Sequence, residues 1–170
     1  MRLSTKGRYA VMAMVDLANH SHGNPVALAD IAERQEISLS YLEQLFAKLR
    51  KGGLVKSVRG PGGGYLLALP TDNTRISDII LAVDEPIRTT RCAAGSPAGC
   101  RTNRSRCLTH ELWEELGNQI HLYLSSITVA DVCERRVLGS SRLLFTAVAG
   151  GTAPLAPEED NADGQDIAAD

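Results

Sequence analysis

Leu39–Lys51, LSYLEQLFAKLRK, runs straight into Gly52–Pro70, GGLVKSVRGPGGGYLLALP, and the reading of this pair decides the fold. In the first block Leu42, Leu45, Phe46 and Leu49 recur at the spacing of one buried helical face. Ser40 and Glu43 match the S-x-x-E capping box, a local cause for a helix to begin here. In the second block two short apolar runs, Leu54, Val55, Val58 and then Tyr65, Leu66, Leu67, Leu69, flank Arg59-Gly60-Pro61-Gly62-Gly63-Gly64, a hairpin signal. The glycines match neither the dinucleotide fingerprint nor the P-loop, so a nucleotide-binding reading is rejected.

Upstream, ALADIAERQ (27–35) carries an apolar face of Leu28, Ile31 and Ala32, and Glu36-Ile37-Ser38 is a brief turn. Two short helices joined by a tight turn, the second flanked by Lys48, Arg50 and Lys51, have the plan of a helix-turn-helix. Many helical hairpins share that pattern; the basic-tipped hairpin behind it makes the unit a winged helix. Further upstream, Ala10, Ala13, Met14, Leu17 and Ala18 mark a first helix with Ser4 or Thr5 as cap. Its basic start, Arg2, Lys6 and Arg8, could face phosphates, but taken alone it reads rather as a solvated face. Downstream, Ile76, Ile79, Ile80 and Val83 mark a short linking helix.

That helix leads into RCAAGSPAGCRTNRSRCLTH (91–110), which holds three of the four cysteines in the spacing Cys92-x7-Cys100-x6-Cys107-x2-His110. The intervening Gly, Ala, Ser, Pro, Thr and Arg residues wrap around a ligand more readily than they build a core. Three thiolates and an imidazole suit zinc or iron in an iron-sulfur cluster. Structural zinc sites usually contain a tight thiolate pair, and the wide gaps here favour the larger group. Between Pro86 and Cys107 there is no acid, while Arg88, Arg91, Arg101, Arg104 and Arg106 offset the negative charge of a thiolate-bound cluster. Thr109 is a candidate helix cap that puts His110 in the first turn. Scattered thiols, or a Cys92–Cys100 disulfide, are the bland alternatives.

After His110, Trp113, Leu116, Ile120, Tyr123 and Ile127 repeat like a heptad seam on a helix too long for one small winged domain to cover. This predicts a dimerisation helix over 111–136 and a homodimer, which suits a near-palindromic DNA site. Cys133 lies beyond the seam and reads as a spectator thiol; His20, His22 and His121 have no partner spacing. Residues 137–170 mix Ala, Gly, Pro and acids, the composition of a disordered acidic tail. That tail carries net charge −5, whereas residues 1–75 carry +4, a basic front compatible with nucleic acid. There is no charged-then-apolar leader and no apolar run of about 18 residues or more, so the expectation is a cytoplasmic protein with reduced thiols and no membrane partner.

MRLSTKGRYAV, ISLSYLEQLFAKLRKGGLVKSVRGPGGGYLL, and RC followed by CLTHELW resemble the IscR-type iron-sulfur regulators, winged-helix transcription factors that bind a 2Fe-2S cluster. The resemblance covers roughly residues 1–132. It implies Cys92, Cys100, Cys107 and His110 as cluster ligands and double-stranded DNA and a second copy as partners. It also implies iron-sulfur assembly proteins as the cluster source and repression of cluster assembly genes as the task. Leu39–Lys51 becomes the recognition helix, with Ser38, Ser40, Tyr41 and Gln44 toward DNA, and Arg59 serves the wing. The cysteine gaps are longer than the family's commonest.

The residue chemistry agrees: Gln pairs with adenine by two hydrogen bonds, hydroxyls reach phosphates or base edges, and an arginine fits a narrow minor groove. Glu43 repels phosphate yet accepts from a cytosine amino group, so it either discriminates between sites or simply caps the helix.

The expected fold class is mainly α with a small β-wing: a winged helix-turn-helix domain (1–84), a ligand loop (85–110), the dimer helix and the tail. No catalytic constellation is present, so an enzyme is not expected. The competing classes are a regulator with structural zinc, told apart by the visible absorption of an iron-sulfur cluster, and an iron-sulfur electron carrier, told apart by a DNA-binding assay.

Overall fold

The computed structural model describes residues 5–85, 89, 99–101 and 105–137. Residues 138–170, and with them the expected acidic tail, lie outside the described residues, as does Ser4. The elements in order are α1 (Thr5–Ser21), α2 (Leu28–Gln35), α3 (Leu39–Lys51), β1 (Val55–Val58), β2 (Gly64–Leu67), a 3-10 turn (Thr71–Asn73), α4 (Ile76–Ala82), α5 (His110–Ser126) and α6 (Val129–Cys133).

The core forms where the apolar stripes meet: Ala10, Ala13, Met14 and Leu17 of α1, Ile31 of α2, Leu42, Leu45, Phe46 and Leu49 of α3, and Ile79 and Ile80 of α4. The small Ala10 and Ala13, both fully buried, let neighbouring helices approach α1 closely. Between α2 and α3 the chain turns at Glu36, whose left-handed backbone (φ 53°) sends its N–H back to the Ala32 and Glu33 carbonyls.

Helix α3 spans the expected residues, but its cap differs. Ser38 is the N-cap, accepting from the Tyr41 amide at 3.2 Å, while Ser40 lies inside the first turn with its hydroxyl 3.1 Å from that of Ser38. The expected Ser40–Glu43 capping box is therefore not formed. Register explains it: a serine two residues earlier already satisfies the Tyr41 amide, and Glu43 is left to solvent.

The wing is an antiparallel pair in the register Val55↔Leu67 to Val58↔Gly64, its turn closed by the Gly63 N–H to the Gly60 carbonyl at 2.9 Å. Val26, ahead of α2, adds an isolated antiparallel bridge to β2 through reciprocal bonds with Tyr65 of 3.0 and 2.8 Å. A Cβ at Gly64 would collide with the Val26 carbonyl, so glycine is what allows this approach. Phe46 meets Tyr65 edge-on at 4.9 Å, fixing the hairpin against α3.

The expected single helix over 111–136 is two helices. It breaks at Ile127–Thr128, where Arg75 and Thr128 form an antiparallel bridge; the Ile76 N–H donates to Ile127 O and the Val129 N–H to Thr74 O. Thr128 and Asp131 then build a capping box for α6, whose Val129 and Ala130 are buried. Ile127, expected on the dimer seam, packs instead against its own core. The heptad pattern is blind to this because a capping box restarts a helix without altering the apolar spacing.

One charged group sits in the core's edge. Asp16, 3% exposed, lies on the apolar face of α1 and accepts from Arg34 Nη2 at 2.6 Å and Nε at 3.1 Å, and from Gln35 Nε2 at 2.7 Å. Burial alone pushes its carboxyl up, but the Arg34 and Gln35 hydrogen bonds, with the Arg34 and His20 charges, hold it below the ordinary carboxylate value. A depressed folded-state value means stability that is present above the ordinary carboxylate range and lost as pH falls through the folded value. Arg34→Met should cost roughly 3 kcal/mol at neutral pH, by leaving a buried carboxylate underpaired. The gap to the parent should narrow as pH falls toward 4 and the orphaned Asp16 protonates. Urea unfolding at pH 7 and pH 4 measures both; an equal loss at the two pH values would count against the account.

Candidate functional site

Two regions carry the candidate residues. On α3 the buried stripe leaves Ser38, Ser40, Glu43 and Gln44 exposed and Tyr41 half-buried. Tyr41 stacks edge-on against Tyr9 of α1, ring centroids 6.1 Å apart, which orients its ring from behind. Glu43, Gln44 and Arg59 are exposed and have no hydrogen-bond or ion-pair partner among the described residues. Arg59 follows β1 at the tip of the wing. A helix with its polar side in water and a basic hairpin tip beside it is the form of a major-groove reader with a wing.

The basic residues at the end of α3 are not all equivalent. Lys48 Nζ reaches Asp84 at 2.8 Å, in the turn after α4, and the carboxylate draws the ammonium's affinity for its proton up while its own falls. Arg50 and Lys51 remain exposed. The next residue, Glu85, accepts from the Gly7 N–H at 2.7 Å, in the first turn of α1, where an acidic group meets the positive end of the helix dipole. Sequence reading missed Asp84, Glu85 and Asp16. Asp16 had a signal, a charge inside the apolar stripe of Ala13, Met14 and Leu17, which demands a buried partner.

The second region lies at the foot of α5. His110 opens the helix and is 5% exposed; its Nδ1 lies 3.1 Å from Cys100 Sγ and its Nε2 lies 3.6 Å from a Glu114 oxygen. Thr109 holds the N-cap position, as expected, but its side chain caps nothing and lies 3.7 Å from Cys107 Sγ. Cys107 joins His110 through the backbone, its carbonyl accepting the His110 N–H at 3.0 Å. A soft thiol and an imidazole nitrogen thus meet across ten residues of loop, a donor pair that fits a sulfur-rich metal or cluster site. Cys107 is one turn before that imidazole. Cys92 lies outside the described residues, and among the described residues no three His, Cys, Asp or Glu side chains are gathered as a metal site. Cys133 is elsewhere, on α6 against the core, where burial pushes its thiol up.

Along α5, Leu112, Trp113, Leu116 and Tyr123 are 62%, 45%, 38% and 46% exposed. These side chains form an apolar face on the solvent side of the helix. No helix among the described residues is long and apolar enough to cross a membrane.

A family profile described as an iron-dependent transcriptional regulator, Rrf2, matches residues 3–135. The HTH-type transcriptional regulator IscR of Erwinia tasmaniensis is 57% identical over 132 residues, 78% of each chain. The regulator of the same name from Yersinia pseudotuberculosis is 56% identical over 132 residues, 78% of this chain and 79% of that one. Among solved structures, IscR of T. potens is similar with a TM-score of 0.64 and 41% identity, covering 80% of this chain and 88% of the other. CymR, the global cysteine regulator of B. subtilis, has a TM-score of 0.65 and 34% identity over 79% of this chain and 98% of its own. These relatives regulate transcription and are not enzymes. The winged helix built on α1 to β2, the thiol and imidazole at the foot of α5, and these likenesses agree: the chain belongs to the Rrf2 family of iron-dependent transcriptional regulators and is of its IscR type.

Proposed function

We propose that this chain works in the cytoplasm as a homodimer that binds double-stranded DNA and a 2Fe-2S cluster, and represses iron-sulfur cluster assembly genes while cluster is held. The observation that carries the reading is the meeting of Cys100 Sγ with His110 Nδ1 at 3.1 Å, at the start of the helix that leaves the ligand loop. Cys92, Cys100, Cys107 and His110 would hold the cluster, supplied by iron-sulfur assembly proteins. A bound cluster would contribute a charge that depends on occupancy and redox state.

Three thiolates and one imidazole hold a cluster less firmly than four thiolates, because the imidazole is a neutral ligand that competes with protons. That weakness suits a sensor. On the DNA side, Ser38, Ser40, Tyr41 and Gln44 would meet the major groove and Arg59 the minor groove. Glu43, exposed and without an ion-pair partner, would penalise sites lacking a cytosine amino group and favour those that offer one. The solvent-facing Leu112, Trp113, Leu116 and Tyr123 support a second copy as the partner of α5, since that many adjacent apolar side chains are costly to leave in water.

Arg59→Ala should lower the slope of log affinity against log salt by about 0.9, one phosphate-linked charge, while Gln44→Ala should relax base preference by ~1–3 kcal/mol at one position per half-site. Parent-like footprints for both would sink the docking scheme. Protein purified without oxygen should be coloured, and Cys92→Ala or Cys107→Ala should abolish the visible absorption while circular dichroism stays native. His110→Ala should make the colour absent or short-lived. A colourless parent containing zinc would favour a structural metal instead. Trp113→Glu with Leu116→Glu should sediment as a monomer, and a persistent dimer would move the interface off α5.

A further inference from the structure

Helix α3 carries four leucines and one phenylalanine. Leu42, Leu45, Phe46 and Leu49 are at most 1% exposed, whereas Leu39, the first residue of the helix, is 42% exposed. The start of the helix does not need Leu39 for packing. Ile37 before the Ser38 cap and Leu42 after it already enter the core, in the two positions of a hydrophobic staple.

Nor is Leu39 part of a wider apolar face, since Ser38, Ser40, Glu43 and Gln44 around it are all exposed. It is one apolar group set among polar ones. A protein partner is a poor cover for that pattern, because a stable protein interface has an apolar centre larger than one side chain. The major groove of DNA offers the matching pattern: its base edges present donors and acceptors, and the 5-methyl group of thymine is the apolar group among them.

We propose that Leu39 is a specificity-determining residue, which covers the 5-methyl group of a thymine close to the base pair met by Glu43. The inference rests on the reading that α3 enters the major groove, and adds an apolar contact to the polar ones of that reading. Recognition helices of this plan present their N-terminal residues to base edges, which is where Leu39 stands. Glu43 follows it by four residues, on the same side of the helix. Four residues rise about 6 Å along a helix axis, and successive base pairs lie ~3.4 Å apart. The two side chains therefore serve positions within about two base pairs of each other. Their demands are complementary: the carboxylate accepts from a cytosine amino group, and the leucine takes a thymine methyl out of water. A site that offers both at that spacing is favoured over one that offers either alone. Removing one methyl group from such a contact corresponds to about a fourfold loss of affinity.

The test uses the full chain, purified without oxygen, and a duplex that it selects from a random-sequence pool. Each thymine in turn is replaced by deoxyuridine, which removes the 5-methyl group and leaves every hydrogen-bonding group in place. With the parent, one such replacement per half-site should weaken binding about fourfold, within about two base pairs of the position where Glu43→Ala relaxes base preference. In Leu39→Ala that loss should vanish, the thymine and deoxyuridine duplexes being bound alike. Leu39→Met, which keeps the apolar reach, should restore most of it, and Glu43→Ala should keep it in full. Because Leu39 is exposed, circular dichroism of its variants should stay native. A fourfold loss that persists in Leu39→Ala would overturn the proposal, and so would a parent indifferent to every thymine methyl near the Glu43 position. A chain that selects no duplex at all would instead sink the groove-docking reading, and the role of Leu39 with it.

Discussion

A single buried carboxylate ties the first two helices together at the edge of the core. Asp16 projects from the apolar face of α1, and burying it without partners would cost several kcal/mol. Arg34 and Gln35, adjacent residues at the end of α2, supply four hydrogen bonds of 2.6, 2.7, 3.1 and 3.2 Å. Those bonds join the end of α2 to α1 across the core's edge. Glu36, the next residue, turns the chain, and Ser38 starts α3. The cap of helix α3 therefore comes four residues after Arg34, close along the chain to the Asp16 knot. Arg34 keeps a third of its side chain in water, which lowers the desolvation cost of the pair.

The wing depends on a second set of constraints. Val26 bonds to Tyr65 on one side and leads into α2 on the other, so the hairpin and the helix-turn-helix share a backbone rung. Glycine at 64 permits that rung, and Phe46 packs its ring on Tyr65. Arg59 at the tip is thus carried on a hairpin anchored at its base to the same core that orients α3.

The far end of the chain comes back to this core. The bridge between Arg75 and Thr128, with the Thr128–Asp131 capping box behind it, docks α6 beside α1 and the 3-10 turn. The segment between α4 and α5 is therefore bounded at both ends by elements of one packed unit: α4 with the Asp84–Glu85 turn before it, and α5 with α6 after it.

Much of this was written locally. The extents of α2 and α3, the wing, the linking helix and the N-terminal placement of His110 on α5 follow from apolar spacing, glycine placement and turn residues, signals that act over a few positions. The residues named on α3 and at the wing tip are on the surface because the same periodicity that buries Leu42 and Phe46 exposes Glu43 and Gln44. What local pattern could not decide were contacts between distant residues. Ser38 rather than Ser40 caps α3 because of where the preceding turn delivers the chain. The long helix ends at Ser126 because residues 74–76 offer a strand partner. Asp16 finds Arg34, Lys48 finds Asp84, and Cys100 finds His110 only once the helices are packed. Spacing along the chain determined which residues face inward; the tertiary structure decided which polar groups meet, because hydrogen bonds and ion pairs depend on distances that periodicity does not encode.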